Sequence, residues 1–406
     1  MATLVPFRAL RPAPAAAARV AAVPYDVVNT DEARSLAAGD PLSFLHVSRA
    51  EIDLPPGTDP YADAVYAKAV ENFCALKTAA PLVVEDAPSL YVYRLRMGAH
   101  AQVGVAACFA LAEYDAGVIK RHEHTRRDKE DDRTRHMIAL RAQTGPVFLV
   151  YRESRAIDEL VGQTIERTAP LVEFVAADGL AHTIWTVDPH DQAGFVAAFE
   201  AVRALYIADG HHRAAGAARA RGELGGPAAA PGEWDTFLAV AFPDTRVQVL
   251  PYNRVVRDLG PHTPSTLLAA LAERFTVGEG PAAPARKGDV AMCLDGRWHT
   301  IELGAAPASV SPAERLDVSR LQDLVLAPLL GIGDVRTDKR IDFVGGARGT
   351  TELERLVKSG QAAVAFSLHP VSVGDLMAVC DAGGIMPPKS TWFEPKLRDG
   401  LLSHPI

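Results

Sequence analysis

The chain is poor in cysteine, and the little it has is scattered. Cys74, Cys108, Cys293 and Cys380 are the four in 406 residues. No Cys-x-x-Cys pair occurs, which argues against a disulfide framework or a thiolate zinc site and for reduced cysteines in a cytoplasmic protein. No apolar run reaches membrane-spanning length, so no membrane partner is expected. Arg8, Arg11, Pro12, Pro14 and Arg19 interrupt the start, which therefore does not read as a signal peptide. Positive charge is in deficit. The formal net charge is −8, against the basic face of a nucleic-acid binder. There is no GxxxxGK phosphate loop and no internal repeat. What remains, 48% hydrophobic and 23% charged residues, is the composition of an ordinary globular protein with length for two or three domains.

The stretch that organises the rest is Leu205–Arg213, LYIADGHHR, with the alanine-rich run behind it. Leu205 to Ala208 read as a short strand. Asp209 and Gly210 break it, and Ala214, Ala215, Ala217, Ala218 and Ala220 form a strong helix. A helix start leaves backbone N–H groups without partners and carries partial positive charge, so Gly210, His211, His212 and Arg213 are candidates for holding a phosphate. Gly210 lets a ligand approach the backbone, and Arg213 offers a planar fork to phosphate oxygens. The plainer alternative is that Asp209 only caps the helix.

The most charged stretch is Ile119–Arg135, IKRHEHTRRDKEDDRTR. Such a run is usually a solvated helix. Here His122-Glu123-His124 follows a strand-like segment, where His122 and His124 would share one face and Glu123 the other. The run then leads straight into apparently buried residues. A site and a surface helix are both open.

Elsewhere the pattern alternates between strands and helices, which implies an α/β or α+β fold. Val23–Val28 reads as strand, with Asp26 either a turn former or aimed into a cleft. Thr30–Ala38 and Pro60–Lys77 read as helices, and Phe44–Val47 as a brief strand. Ser89–Met97 and Gln102–Ala110 form a hairpin. Gly222–Gly232 reads as a loop, and Pro251–Arg254 as a polar break before Val255. Asp295-Gly296 turns a second hairpin. Three segments follow: an N-terminal α/β segment at 1–88, a core at 89–260 carrying both motifs, and a C-terminal α/β unit at 261–406.

The motifs IKRHE (119–123), DGHHR (209–213), PYNRVV (251–256), RIDFVGG (340–346) and MPPKSTWFEPK (386–396), with the amino-terminal PFRALRPAP and VPYDVV, together resemble the domain-of-unknown-function family numbered 1015. The resemblance implies a ParB/sulfiredoxin-like core of the kind that hosts free serine kinases. It implies that Glu123 is the catalytic carboxylate and that Asp209, Gly210, His211 and Arg213 form a phosphate and metal turn. It makes serine or phosphoserine the first substrate to test. About 85 residues separate the two motifs, a wider gap than in the compact serine kinases.

On that reading Glu123 takes the proton from a hydroxyl. Asp209 holds Mg²⁺ beside the phosphates of ATP or ADP. Arg213, with Arg126 or Lys129, balances developing charge. His211 binds phosphate or metal or shuttles a proton, whereas His212 points elsewhere. Lys389, Ser390 and Thr391 form a second phosphate-friendly triplet or a surface turn. Asp26, His122, Asn253 and Asp342 are candidates on the substrate side. Two other functions compete. One is a metal-dependent hydrolase using His122, His124, Asp209 and His211. The other is a nucleotide-binding sensor without turnover.

Overall fold

Hydrophobic alternation around residues 89–110 produces the hairpin from which the main sheet is built. In the computed structural model, which describes residues 1–79, 82–225 and 230–406, strands Tyr91–Met97 and His100–Ala110 pair in register, Met97 opposite His100. Gly98 has φ +58°, the left-handed backbone that the tight turn needs. The chain divides into two compact units, Met1–Val247 with Pro395–Ile406, and Gln248–Glu394. The first unit takes up both the 1–88 segment and most of the 89–260 segment, together with the last twelve residues of the chain.

The first unit carries a mixed sheet ordered Ile119–Lys120, Leu205–Asp209, Val147–Tyr151, Thr236–Pro243, His100–Ala110, Tyr91–Met97, Ala181–Thr186, Val172–Val175, with Leu4–Val5 also pairing with His100–Ala110. Leu205–Asp209 runs parallel to Ile119–Lys120 and antiparallel to Val147–Tyr151. The two motifs therefore leave adjacent strands in the same direction. The register shifts between Ile207 and Asp209, a bulge at the end of the strand that leads into the motif. Phe109, Leu149, Phe195, Phe199 and Ile207 lie in the core against the sheet. A separate core under helices Thr30–Ala37 and Asp63–Ala79 is formed by Phe44, Leu45, Val65 and Phe73.

The helix after the second motif packs through small residues. Helix His211–Gly225 buries Ala214, Ala215, Gly216, Ala217 and Ala220. A Cβ on Gly216 would come 3.0 Å from Cβ of Arg133. Glycine at this point lets helix His211–Gly225 lie almost directly on helix Arg127–Leu140, so the alanine-rich run is a packing face as much as a propensity signal.

The second unit is an antiparallel six-stranded sheet, ordered Thr276–Glu279, Arg297–Glu302, Asp289–Leu294, Val364–Leu368, Tyr252–Val256, Ile341–Gly345. Asp295 and Gly296 both take positive φ in the expected hairpin turn. A short ribbon joins Gln248–Leu250 to Trp392–Glu394.

Several local expectations change. Phe44–Val47 is not a strand, and helix Leu45–Ser48 occupies most of it. Val23–Val28 forms turns in place of a strand, and Asp26 is exposed on one of them. Tyr252–Val256 is continuous strand through the expected polar break. Helix His211–Gly225 extends into the expected 222–232 loop, of which residues 226–229 lie outside the described residues. All four cysteines are free; Cys74 is exposed and the other three are buried. Among the described residues no helix is long and apolar enough to cross a membrane.

Candidate functional site

The strand Ile119–Lys120 ends before the His-Glu-His segment, so period-two alternation does not govern it. His122 is buried, Glu123 is half-exposed and His124 is exposed. His122 and His124 therefore do not share a face. The His122 and His211 rings meet edge to face, centroids 4.4 Å apart. The backbone N–H of His122 points to Nε2 of His211 at 3.5 Å, and Nδ1 of His211 lies 4.0 Å from Oε2 of Glu123. Residues 88 and 89 positions apart thus converge at the first residue of helix His211–Gly225.

Both imidazoles are neutral at physiological pH. Burial holds His122 down to about 4, although Ile207 and Asp209 act to raise it. Burial, reinforced by His122, holds His211 well below the ordinary histidine value. His212 points away from His211, as adjacent helical residues must. Its Nε2 accepts the backbone N–H of Arg126 at 3.1 Å, and burial lowers its pKa too.

Asp209 is held by two cations. Lys396 Nζ lies 2.9 Å from Oδ1 and Arg213 lies 2.6 Å from Oδ2. Burial alone pushes this carboxyl up, but Lys396 and Arg213 outweigh it and keep the group well below the usual carboxylate range. Arg213 also donates to the carbonyl of Pro146, and its side chain is 5% exposed. The expected phosphate fork is thus engaged by the protein's own acceptors. Gly210, at φ +93°, makes this possible: a Cβ there would meet Arg213 Nε at 2.9 Å. The close approach at this glycine is made by arginine.

The chain's last segment completes the network. Asp399 pairs in a bridge with Ala22. Burial pushes its carboxyl up to about 7, with Arg213 and Arg133 opposing and Asp26 adding to the rise. Its Oδ1 has no hydrogen-bond partner, as suits a protonated or marginal carboxyl. Asp26, although exposed in its turn, acts electrostatically on Arg213 and His212. Lys396 and Asp399 were not among the expected site residues. Lys396 closes the MPPKSTWFEPK motif, whose Lys389 drew attention because Ser390 and Thr391 follow it. The available signal was three charged residues, Lys396, Arg398 and Asp399, within four positions of a largely apolar tail.

Arg126 pairs with Asp128 at 2.7 Å on the surface, its side chain 72% exposed. Lys129 lies 5.3 Å from the ring centroid of Tyr61. In the second unit Ser390 donates to the carbonyl of Pro387 at 2.6 Å, closing a turn on which exposed Lys389 takes φ +57°. Thr391 follows it, half-buried. Asn253 is buried and accepts the N–H of Leu368 at 3.1 Å, a sheet-supporting bond. Exposed Asp342 accepts its neighbour Phe343 N–H.

The sequence pattern of the family described as a protein of unknown function, DUF1015, matches residues 4–319. The chain belongs to this family. Solved structures similar to this DUF1015 protein include the following three. SbnI with C-terminal truncation, from Staphylococcus aureus, is 13% identical, with 74% of this chain and 87% of that chain covered and a TM-score of 0.40. A free serine kinase in complex with AMP is 14% identical, with 73% and 92% covered and a TM-score of 0.36. A conserved hypothetical protein from Pyrococcus furiosus is 16% identical, with 74% and 94% covered and a TM-score of 0.36. Similarity at this level carries no argument about chemistry. Among curated proteins none matches the sequence.

Proposed function

We propose that this DUF1015 protein is a nucleotide-linked phosphotransferase acting on a small hydroxyl metabolite, with serine or phosphoserine the first to test. The observation that carries the reading is Glu123 standing 4.0 Å from the residue that opens a fifteen-residue helix. Phosphoryl transfer needs a base beside the attacking hydroxyl and positive potential around the phosphoryl oxygens. Glu123 takes the hydroxyl proton as the oxygen–phosphorus bond forms and the nucleotide leaves with its former bridging oxygen; the reverse step returns the proton. The opening amides of the helix, at 211–213, supply donors for phosphate. Neutral His211 borders both groups. Arg213 acts through Asp209, fixing the bend, and is a positioning residue.

ATP or ADP fits this arrangement as phosphate donor or acceptor. Mg²⁺ at Asp209 does not fit, because both carboxylate oxygens already face cations; no step is routed through it. The test is phosphoryl exchange between labelled nucleotide and serine or phosphoserine. Glu123→Gln should keep nucleotide binding and lose turnover by about 10²-fold or more, as for a lost general base. Full activity in that variant overturns the role of Glu123. Nucleotide binding without transfer to any hydroxyl acceptor would favour a sensor instead.

A second reading has its own observation. His122, Glu123 and His211 each offer a donor atom, all within 4.8 Å of one another. Two neutral buried imidazoles and a carboxylate suit Zn²⁺ or Mn²⁺. This trio differs from the set expected for a hydrolase: Glu123 takes part, exposed His124 does not, and Asp209 is occupied by Lys396 and Arg213. A stoichiometric, tightly held transition metal in the purified protein would support it.

A further inference from the structure

A cavity of about 170 Å³ lies in the first unit, between helix Asp63–Ala79, helix Arg127–Leu140 and the segment around Ser48. It shares no lining residue with the cluster of His122, Glu123, Asp209 and His211. Its walls carry many polar side chains. Tyr25, Tyr61 and Tyr66 supply rings, and Arg133 stacks over Tyr25 at 3.8 Å.

Two of the three lining cations are neutralised within the wall. Arg49 Nε lies 2.8 Å from Glu51, and Arg133 lies 2.7 Å from Asp132, which also accepts the hydroxyl of Tyr66 at 2.9 Å. His136 gives no charge: burial holds it down to about 4, and Nε2 bonds the carbonyl of Val47. Lys129 is different. Its ammonium meets the Tyr61 ring at 5.3 Å, and among the described residues no carboxylate lies within ion-pair distance. The wall therefore carries one surplus positive charge. A second feature is independent of charge. Ser48, 3% exposed, lines the cavity, and its Oγ has no hydrogen-bond partner. A buried hydroxyl left unsatisfied is costly and marks a place where a partner is missing.

We propose that this cavity binds a small monoanionic carboxylate of three or four carbons bearing at least one hydroxyl or oxo group, with the carboxylate at Lys129 and a second polar group at Ser48. Size sets the carbon count: a cavity near 150 Å³ accepts a ligand of about six heavy atoms. Charge sets the class. A net −1 ligand cancels the surplus on the wall, whereas a zwitterionic amino acid brings no net charge and adds an ammonium near three cations. The inference is independent of the phosphotransferase step proposed above, which uses Glu123, His211 and the 211–213 amides; Lys129, expected from the sequence to balance charge there, faces the Tyr61 ring instead.

The experiment is calorimetric titration of the full chain, without nucleotide, with glycerate, L-lactate, L-alanine, L-serine and inorganic phosphate. Glycerate and lactate should bind at one site with Kd below about 1 mM. Lys129→Met, which keeps the apolar stem at a half-exposed position, should weaken both by about tenfold or more while the unliganded Tm stays within about 2 °C. Ser48→Ala should weaken glycerate and lactate by about fivefold or more. Absence of binding by both hydroxy acids overturns the proposal, as does equal affinity in Lys129→Met. Preference for serine over glycerate overturns the charge argument and makes the cavity an amino-acid site. Preference for phosphate overturns the carboxylate assignment. Failure of phosphoryl exchange leaves each of these outcomes readable.

Discussion

The turns at 209–213 and 387–391 both place a cation among small polar residues next to an apolar strand, and they resolve into opposite structures. At 209–213 the cation is Arg213, 5% exposed, facing Asp209 and a backbone carbonyl. At 387–391 the cation is Lys389, exposed, with Tyr252 as its ring neighbour at 5.6 Å. The first turn opens a fifteen-residue helix; the second closes on itself through Ser390 and Pro387. A helix start pressed against a second helix must bury whatever its first turn carries, and buried charge demands partners. A turn without a helix behind it keeps its cation exposed.

Substitutions sharpen this contrast, beginning with the largest effect. Arg213→Ala leaves the partly buried Asp209 carboxylate with Lys396 alone and removes the group that fills the space over Gly210. A loss of about 3 kcal/mol or more in unfolding free energy is expected from breaking a buried ion pair. Denaturant titration measures it, and a loss below about 1 kcal/mol would mean that the buried network is dispensable.

A smaller effect should appear at Asp399. Its folded pKa, about 7, lies above that of an unfolded aspartate, near 4. The stability it contributes is therefore complete below about pH 4 and is lost as pH rises to about 7. His122 and His136 have the opposite sign: their folded values, about 4, are depressed, and the stability they contribute at neutral pH is lost as pH falls. Asp399→Asn removes only the first dependence. The variant should gain in Tm relative to the parent chain as pH rises from about 5 to about 8. Parallel Tm curves for the two proteins would remove Asp399 from the pH response.

The smallest effect belongs to the second turn. Lys389→Ala exchanges one exposed side chain for another at the same backbone angle, and unfolding free energy should change by no more than about 0.5 kcal/mol. A loss comparable to that of Arg213→Ala would erase the distinction between the two turns.

The strand–bend–helix sequence at 205–225 was legible because each part has a local cause. Apolar residues give the strand, Asp209-Gly210 the bend and alanines the helix. The hairpins at 91–110 and 289–302 were legible for the same reason. Phe44–Val47 was misread because four apolar residues suit a strand or a buried helix equally until the neighbours are known. Tyr252–Val256 was broken too early because Asn253 and Arg254 look like loop residues, whereas in the sheet Asn253 bonds Leu368 and Arg254 is buried.

Taken alone, the sequence determined the mixed α/β elements, the membership of a family and the two motifs, each a matter of composition or of neighbours within a few residues. Only the tertiary structure decided which charges face water. Asp209 meets Lys396 across 187 positions, and Tyr66 meets Asp132 across 66. The partner of a buried charge is chosen by how helices and strands pack, and that choice cannot be read from residues adjacent along the chain.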